Sequence, residues 1–283
     1  MQQRRIGNVE VSAIGLGAMP MSLRGRPSRE QCVRAVHAAL DAGVTLIDTA
    51  DAYCETGADF GHNERLIAEA LAGSGNGADV LVATKGGHTR DDHGGWHVDG
   101  RPEYLRSACE ASLRRLGVEA IGLYQYHRPD PRVPFADSVG TLRELADEGK
   151  IRMAGTSNND TAQIEQAREI LGDLLVSVQN QFSPAHRGSQ AELELCERLG
   201  IAFLPWSPLG GIGTAAGLGD RHRAFAEIAG THGVSPQRVC LAWLMAKSPV
   251  VVPIPGSSRP ETIRDSAQAA TLTLSPSELA RLD

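Results

Sequence analysis

Short apolar runs rich in Val, Ile and Leu alternate along this chain with longer amphipathic stretches, and the alternation occurs eight times. The apolar runs end at Gly17, Asp48, Thr84, Tyr126, Thr156, Gln179, Trp206 and Pro253. Patterns of helical period separate them, and the clearest span residues 29–42, 64–72, 102–116, 135–148 and 161–171. A strand followed by a crossover helix is the unit of parallel α/β folds. Since no linker or shift in composition divides the units, we predict one closed (β/α)8 TIM barrel over residues 1–283.

Three segments depart from this repeat. Residues 4–11, with a Gly-Asn turn, predict a β-hairpin that closes the bottom of the barrel. Two helical patterns, 221–231 and 235–247, lie between the seventh and eighth strands, where the repeat needs only one. The stretch 86–100 is long, polar and rich in Gly, Asp and His, and it follows a strand directly. Because barrel enzymes carry their active-site loops at this end of the strands, we expect it to be a substrate loop.

The composition argues against several classes of protein. Hydrophobic residues make up 41% of the chain, but none of the apolar runs reaches the roughly 18 residues of a spanning helix. The net charge is −6 with dispersed basic residues, which favours a small-molecule partner over nucleic acid or a membrane. The N-terminus lacks a secretory signal, and the five cysteines lack CxxC spacing. We therefore expect a cytoplasmic protein with packed cysteines, and a monomer, because no apolar stripe identifies a partner surface.

Four reactive side chains stand at or just after the predicted strand ends. The second strand runs into Asp48, and Tyr53 follows five residues later. The third strand leads to Lys85 and the fourth to His127. Since a barrel presents the C-terminal ends of its strands at one mouth, a carboxylate, a phenol, an ammonium and an imidazole should converge there. Only 3 of the 28 basic residues are lysines, so a lysine that closes an apolar strand is unlike the surface arginines.

This set of side chains fits the reduction of a carbonyl by hydride transfer. The reaction requires a proton for the developing alkoxide and groups that stabilise its charge. Tyr53 can supply the proton, and the ammonium of Lys85 would lower the pKa of the phenol below its ordinary value of about 10. Desolvation alone would favour the neutral amine, so Lys85 needs a carboxylate partner to stay charged, and Asp48 could be that partner. His127 would orient the carbonyl oxygen.

Each of these residues also has an ordinary interpretation when it is taken alone. Asp48 could cap a helix or turn, Tyr53 could pack on the surface, and Lys85 could be solvated. His127 could be a loop histidine with satisfied hydrogen bonds. A single match of this kind is weak, but the four residues together favour the catalytic interpretation.

Several segments carry a resemblance to a known family. Residues 48–53 (DTADAY), 84–86 (TKG) and 124–130 (YQYHRPD) resemble the signature segments of the aldo-keto reductases. Further segments are similar to that family in the same order: 14–19, 155–159 and 206–210. The resemblance covers essentially the whole chain. It implies a (β/α)8 barrel, a nicotinamide cofactor bound without a Rossmann domain, and the four reactive residues as a catalytic tetrad.

The segment after the eighth predicted strand suits a phosphate group. Backbone amides, hydroxyls and a guanidinium open a helix there: Gly256, Ser257, Ser258 and Arg259. Such a site favours the 2′-phosphate of NADPH over NADH, and the resemblance points the same way. At Thr262 many relatives carry a longer polar or basic side chain, for which Arg259 or Arg264 could compensate. A capped surface helix without a ligand is the ordinary alternative.

The nicotinamide end of the cofactor would lie at the ends of the fifth to seventh strands. Ser157, Asn158 and Gln179 could satisfy its carboxamide. Trp206 could stack on the ring, although a packed core tryptophan is the ordinary alternative. The loop that follows could track the pyrophosphate: Ser207, Pro208, Leu209 and Gly210. The remaining cofactor candidates, by the resemblance, are Gly17, Ala18, Met19, Asp48, Asp265 and Ser266.

Candidates for contact with the substrate are His127 and Trp96, the large apolar residue of the stretch 86–100. His88, His93 and His97 lack fixed ligand spacing, so we expect no metal site. The identity of the substrate depends on loop shapes that a sequence does not define. The stretch 179–187 looks similar to bacterial pyridoxal reductase-like members of the family.

Three functions of different classes remain open. The first is an NADPH-dependent reductase of aldehydes or ketones. The second is a cofactor-sensing binding subunit of the same fold. The third is a non-redox barrel enzyme that uses Lys85 in Schiff-base chemistry. The intact set of four residues favours the first, and the third leaves the predicted cofactor residues unexplained.

Overall fold

The computed structural model describes residues 1–283 and begins with an antiparallel hairpin of β1 (Gln3–Ile6) and β2 (Val9–Ser12). Gly7 occupies the turn with a φ of 57°, a left-handed conformation that glycine adopts without steric cost. Ile6 and Val11 are buried in one cluster with residues at which the barrel strands begin. The predicted hairpin at the bottom of the barrel is therefore confirmed.

Seven strands form a parallel sheet that curls into the barrel. After the hairpin, the strands are β3 (Leu16–Gly17), β4 (Leu46–Asp48), β5 (Leu81–Gly86), β6 (His88–Arg90), β7 (Trp96–Val98), β8 (Leu123–Tyr126), β9 (Ala154–Ser157), β10 (Leu175–Gln179) and β11 (Ala202–Phe203). All but β6 and β7 belong to the parallel sheet, in the order β3-β4-β5-β8-β9-β10-β11. Helices cover the outer face of this sheet and side chains fill its inside, which explains why its strands are apolar runs.

The predicted strand ends agree closely with the structure. Four strands end at the predicted residue, whereas β5 continues two residues beyond Thr84 and β9 one residue beyond Thr156. β11 ends at Phe203, three residues before the predicted Trp206. Pro205 has no N–H and interrupts this ladder, and a single bridge from Trp206 to Gln181 lies beyond it.

The eighth predicted strand does not form as a regular strand, and this is a correction to the sequence analysis. The segment 250–257, here called the seam, instead bridges β11 between Val251 and Phe203 and bridges β3 between Gly256 and Gly17. Two prolines within the seam lack the N–H that a continuous ladder requires. The barrel is thus closed by isolated bridges and by additional backbone hydrogen bonds on both sides of the seam.

Helices connect the strands as the repeat predicts. They are α1 (Arg29–Asp41), α2 (His62–Ala72), α3 (Pro102–Leu116), α4 (Phe135–Asp147), α5 (Thr161–Leu171), α6 (Gln190–Leu199), α7 (Leu218–Arg221), α8 (Arg223–His232), α9 (Pro236–Lys247), α10 (Pro260–Ala267) and α11 (Pro276–Leu282). Helices α8 and α9 confirm the two predicted patterns before the last barrel segment. None of these helices has the length and apolar character that crossing a membrane would require.

The stretch 86–100 is ordered as a hairpin, because β6 and β7 pair antiparallel with Arg90 opposite Trp96. The five cysteines are all buried, as expected for packed side chains. In the hairpin and at the buried cysteines, polar and sulfur-containing side chains contribute to packing around the barrel.

A substitution at the seam tests how the barrel closes. A Cβ atom at Gly17 would lie 2.7 Å from the carbonyl oxygen of Ile254, which is closer than van der Waals contact allows. We expect Gly17→Ala to lower the free energy of unfolding by about 1–3 kcal/mol, the usual cost of overpacking. Gly75→Ala is the matched control, because a Cβ there has no neighbour within 4 Å. Urea denaturation measures both, and equal stabilities for the two variants would contradict this account of the seam.

Candidate active site

The four side chains predicted to be reactive lie together at the C-terminal mouth of the barrel. Asp48 ends β4, Lys85 lies in β5 and His127 follows β8, so neighbouring strands deliver three of them. Tyr53 comes from the loop after β4. All four are buried, from 0% exposed for Lys85 to 7% for His127. Buried polar groups need partners, so the contacts among these four decide their chemical states.

The ammonium of Lys85 uses all of its hydrogen-bond donors. Nζ donates to Asp48 Oδ1 at 2.6 Å, to the carbonyl oxygen of Thr49 at 2.8 Å and to Tyr53 Oη at 3.0 Å. Burial alone lowers the pKa of Lys85, but Asp48 and Tyr53 outweigh burial and the pKa is raised from its ordinary value. Lys85 is therefore a fixed cation at the centre of the site.

Two glutamines hold Asp48 from its other side. Oδ2 accepts hydrogen bonds from Gln179 Nε2 at 2.8 Å and from Gln125 Nε2 at 3.3 Å. The sequence analysis assigns Gln179 to the cofactor, and its amide oxygen remains without a hydrogen bond while its nitrogen is engaged by Asp48. Gln125 was not identified from the sequence. A glutamine within the otherwise apolar and aromatic β8 is the signal that could have identified it.

Tyr53 accepts a hydrogen bond from Lys85, so the hydrogen of its own hydroxyl is available for another acceptor. The sequence analysis predicts that Lys85 lowers the pKa of this phenol. Burial has the larger effect and raises the pKa, Lys85 acts in the opposite direction, and the result lies above the ordinary value. Lys85 thus has the predicted lowering effect, but desolvation of the phenolate outweighs it, and the net shift of the pKa is upwards. Tyr53 is thus a neutral phenol at neutral pH.

His127 is a neutral imidazole. Burial lowers its pKa well below the ordinary value, and the positive charges of Lys85 and Arg128 lower it further, as does His88 when it is protonated. Its ring lies edge-on to Tyr53, with centroids 5.6 Å apart. Its Nδ1 atom is buried without a hydrogen-bond partner. A neutral imidazole can donate one hydrogen bond, but it cannot serve as a reservoir of protons at neutral pH.

The β6–β7 hairpin reaches this site through His88. The ring of His88 lies 4.7 Å from that of His127 and stacks at the same distance on Trp96, whose indole also lies under Arg90. Burial and neighbouring positive charges lower the pKa of His88 to about 4. Trp96 is 40% exposed and does not itself contact His127 in this arrangement. His88, which the sequence analysis considered only as a metal ligand, is the hairpin residue next to the site.

No group of three or more His, Cys, Asp or Glu side chains is arranged to hold a metal ion. The histidines of the hairpin make other contacts. His88 packs between two aromatic rings, and His97 pairs with Asp91 at 2.8 Å.

The residues predicted at the nicotinamide end form one network. Ser157 Oγ donates to the carbonyl oxygen of Gln179 at 2.7 Å. Asn158 has a φ of 60° and donates from Nδ2 to the carbonyl oxygen of His127 and to Ser157. Its Oδ1 accepts from Trp206 Nε1 at 3.2 Å and from Arg128 Nη2 at 3.1 Å. Asn158 thus links this network to the loop that carries His127.

The loop after Trp206 adopts backbone conformations that few residues tolerate. Ser207 has a φ of 47° and Gly210 a φ of 92°. The carbonyl oxygen of Pro208 accepts a hydrogen bond from the thiol of Cys240, while Leu209 and Gly210 border a small cavity. The loop is therefore held in place next to Trp206, with glycine where the backbone requires it.

The residues predicted at the phosphate end gather around the seam and the start of α10. Gly256 bridges Gly17, and Ser257 is buried with its hydroxyl bonded to Thr262 and to the carbonyl oxygen of Arg259. The Arg259 side chain is 60% exposed and lies 3.7 Å from the carboxylate of Glu261, which is also exposed, and Ser258 is half-buried. The first N–H groups of α10 have no partner within the helix. Exposed guanidinium and free N–H groups at this point fit a phosphate.

The remaining cofactor candidates are less available to a ligand. Ala18 is buried, and its backbone N–H bonds to the carbonyl oxygen of Asp48. Met19 begins a short 3-10 helix. Asp265 is paired with Arg238 at 2.5 Å and accepts from Ser235, and Ser266 is buried. Of these residues, Ala18 and Asp265 have polar groups that are already bonded to other parts of the protein.

Behind Lys85 lies a second buried carboxyl, Asp51, which the sequence analysis treats only as part of a motif. Asp51 is fully buried and neither of its carboxyl oxygens has a hydrogen-bond partner. Burial raises its pKa well above the ordinary value, and the nearby carboxylate of Glu64 raises it further. Glu64 itself is paired with Arg115 at 2.5 Å. The folded structure therefore favours the protonated form of the Asp51 carboxyl.

The comparisons with known proteins agree with one another, and each match covers nearly the whole chain. The sequence model described as the aldo/keto reductase family matches residues 13–283. The chain is 35% identical over 283 residues to an uncharacterized oxidoreductase of Schizosaccharomyces pombe, covering 99% of this chain and 88% of the relative. It is 35% identical over 276 residues to a 6-dehydroglucose reductase of Novosphingobium aromaticivorans, covering 94% and 89%. Among solved structures, it is similar to an aldo/keto reductase from Klebsiella pneumoniae in complex with NADP and acetate, with 29% identity, a TM-score of 0.82 and coverage of 99% and 94%.

The raised pKa of Asp51 predicts a pH-dependent stability. A carboxyl with a raised pKa binds more protons in the folded chain than in the unfolded chain above its ordinary pKa of about 3.9, so stability falls as pH rises. Asp51→Asn removes this dependence. We expect the variant to gain stability relative to wild type between pH 5 and pH 8, by at most about 1.4 kcal/mol per pH unit.

Urea denaturation across this pH range measures the difference between Asp51→Asn and wild type. Asp147→Asn, at the exposed end of α4, is the control, and its difference from wild type should not change with pH in the same way. A difference for Asp51→Asn that is independent of pH would show that the carboxyl is ionised in the folded protein.

Proposed function

This chain belongs to the aldo/keto reductase family, and on that premise we propose that it is an NADPH-dependent reductase of small-molecule aldehydes or ketones. The observation that carries the proposal is the hydrogen bond from Lys85 Nζ to Tyr53 Oη at 3.0 Å, beside a neutral His127. It sets a phenol with an available proton next to a fixed cation. A reduction that leaves a developing alkoxide needs both.

The chemical states of Tyr53 and His127 decide which of them is the acid. His127 carries a strongly lowered pKa, so almost no imidazolium exists at neutral pH to donate a proton. Tyr53 is neutral and has a free O–H. We therefore assign the proton donor to Tyr53, and to His127 the donation of a hydrogen bond that orients the carbonyl oxygen. The alkoxide oxygen takes the phenolic proton, and Lys85 stabilises the phenolate until solvent returns a proton.

Residues that would hold NADPH lie at both ends of the candidate site. Ser157, Asn158 and Gln179 would meet the nicotinamide carboxamide, with the free amide oxygen of Gln179 as an acceptor, and Trp206 would lie against the ring. When bound, NADPH supplies the hydride for the carbonyl carbon. Arg259 and the N-terminus of α10 would bind the 2′-phosphate. The NADP complex of the similar Klebsiella pneumoniae structure supports this choice of cofactor.

The two alternative functions are less compatible with the contacts of Lys85. Schiff-base chemistry requires a neutral amine, whereas the three donors of Lys85 are engaged and its pKa is raised. A cofactor-sensing binding subunit would bind NADPH without turnover. Mixing the protein with NADPH and 4-nitrobenzaldehyde, and following the loss of nicotinamide absorbance, separates this alternative from the reductase. Absence of turnover across a panel of carbonyl compounds would rule out the proposed activity.

The assignment of the acid predicts the behaviour of Tyr53→Phe. Removing the phenolic hydroxyl should lower kcat by about 100-fold or more, the usual scale of general-acid catalysis, while NADPH affinity is retained. Tyr104→Phe in α3 is the matched control and should keep the wild-type rate. Steady-state rates and a fluorescence titration with NADPH measure both properties. A Tyr53→Phe variant with wild-type kcat would require another proton donor.

The phosphate site predicts tighter binding of NADPH than of NADH. Charge-assisted hydrogen bonds to phosphate are lost in Arg259→Ala, so the ratio of the two dissociation constants should fall by about tenfold. The control is Arg198→Ala, which removes an exposed arginine from the end of α6 that precedes β11, away from the mouth. Equal affinities of the wild type for the two cofactors would contradict the site.

A further inference from the structure

A polar cavity opens at the barrel mouth next to the candidate active site. Its volume is about 410 Å³, and only 1 of the 11 residues around it, Trp206, is apolar. Arg128 and Asn158 belong to its wall, and Arg128 follows His127 directly in the chain. Asn158 links the two residues, because it donates to the carbonyl oxygen of His127 at 3.0 Å and accepts from Arg128 Nη2 at 3.1 Å, so Arg128 borders the cavity on the side of His127.

The charge of Arg128 is not neutralised by the protein. The side chain is half-buried and makes one hydrogen bond, from Nη2 to Asn158 Oδ1 at 3.1 Å, and it forms no ion pair. Arg132 on the same loop is paired with Asp130 at 2.9 Å, and Arg115 is paired with Glu64 at 2.5 Å. Arginine presents five donors in a planar fork, so the guanidinium of Arg128 keeps donors for a ligand.

The electrostatic surroundings of His127 have one sign. Lys85, His88 and Arg128 all act to lower the pKa of its ring, and no carboxylate acts in the opposite direction. Arg90 adds a further positive charge near His88 and likewise forms no ion pair. Since Lys85 is paired with Asp48, Arg128 and Arg90 are the cations on this side of the site that form no ion pair.

We propose that Arg128 binds an oxyanion carried by the substrate, so that the preferred carbonyl compounds bear a carboxylate or phosphate group near the aldehyde or ketone. This inference rests on the proposed reductase function and names its substrate class. A planar oxyanion can take two parallel N–H bonds from the guanidinium, which fixes the substrate relative to His127. Partial burial strengthens such a contact, because it is less screened by solvent.

The carboxylates of Asp160 and Glu192 also border the cavity, and they affect which further groups of a ligand can bind there. Asp160 is engaged as the N-cap of α5, where it accepts from the backbone N–H of Gln163 at 2.8 Å. Glu192 has a buried oxygen, Oε2, without a hydrogen-bond partner. It is an acceptor for a hydroxyl group, so the cavity suits a hydroxylated oxyanion better than an apolar aldehyde.

Matched substrates test the role of Arg128. 4-Carboxybenzaldehyde and 4-nitrobenzaldehyde have similar shapes, but only the first carries a net charge. We expect Arg128→Gln to lower kcat/KM for the carboxylate by about ten- to a hundredfold relative to the nitro compound, mainly through KM. Arg128→Lys should recover part of the preference, because it keeps the charge without the planar fork. NADPH affinity should change far less than kcat/KM for the carboxylate, because Arg128 meets the proposed cofactor site only through its hydrogen bond to Asn158.

Further arms identify the oxyanion and control for general charge effects. Glyceraldehyde and glyceraldehyde 3-phosphate form the phosphate pair, and the pair that responds to Arg128→Gln identifies the group recognised. Arg152→Gln, at the opposite end of the barrel, should leave both ratios unchanged. Loss of the same factor for neutral and charged substrates would overturn the proposal. So would an unchanged ratio in both pairs.

Calorimetric titration with benzoate separates this inference from the proposed function. Benzoate binding that is lost in Arg128→Gln supports the oxyanion site even if the wild type reduces none of the aldehydes, in which case only the reductase assignment fails. A wild type that reduces 4-nitrobenzaldehyde but binds benzoate no better than Arg128→Gln retains the reductase assignment and loses the oxyanion site.

Discussion

Two opposite charges buried side by side, Lys85 and Asp48, organise the mouth of this barrel. Each would be costly alone, because removing one partner of a buried ion pair typically costs about 3–5 kcal/mol. Together they fix the surrounding groups: Lys85 holds Tyr53 and a backbone carbonyl, while Asp48 is held by Gln125 and Gln179. Strands β4, β5, β8 and β10 are therefore joined at their C-terminal ends by side chains as well as by their ladders.

The same pair separates the roles of the two groups next to it. The ammonium repels a proton on His127 and supports a negative charge on Tyr53. Burial pushes both residues towards their neutral forms. The outcome is a neutral imidazole and a neutral phenol beside a cation, and of the two neutral groups the phenol is the stronger acid. Chemical roles here follow from the environment of each group and not from its residue type alone.

The sequence predicts the parts of this protein that depend on periodicity. Seven barrel strands and the convergence of Asp48, Lys85 and His127 follow from where apolar runs end, and the bottom hairpin follows from its Gly-Asn turn. The pKa of Tyr53 could not be predicted, because it depends on the balance between burial and one charge. The partners of Asp48 also required three-dimensional contacts, since Gln125 and Gln179 are 54 residues apart in the chain.

Long-range packing accounts for most of the other differences. Asp51 and His88 are ordinary polar residues in the sequence, and only the structure reveals one as a buried carboxyl and the other as a neighbour of His127. The order of the β6–β7 hairpin comes from cross-strand stacking on Trp96, which a glycine-rich polar stretch does not indicate. Whether Trp96 contacts a substrate stays a prediction.

The seam is the part of the barrel in which strand pairing is least regular. Its two prolines have no N–H, so some backbone hydrogen bonds between β11 and β3 cannot form. The chain continues directly from the seam into the residues that would bind a cofactor phosphate. A molecule bound both at Gly17 and at the start of α10 would connect the two sides of the seam. Its binding free energy would then add to the work needed to open the barrel, so occupancy of the site and mechanical integrity of the fold are coupled at the same few residues.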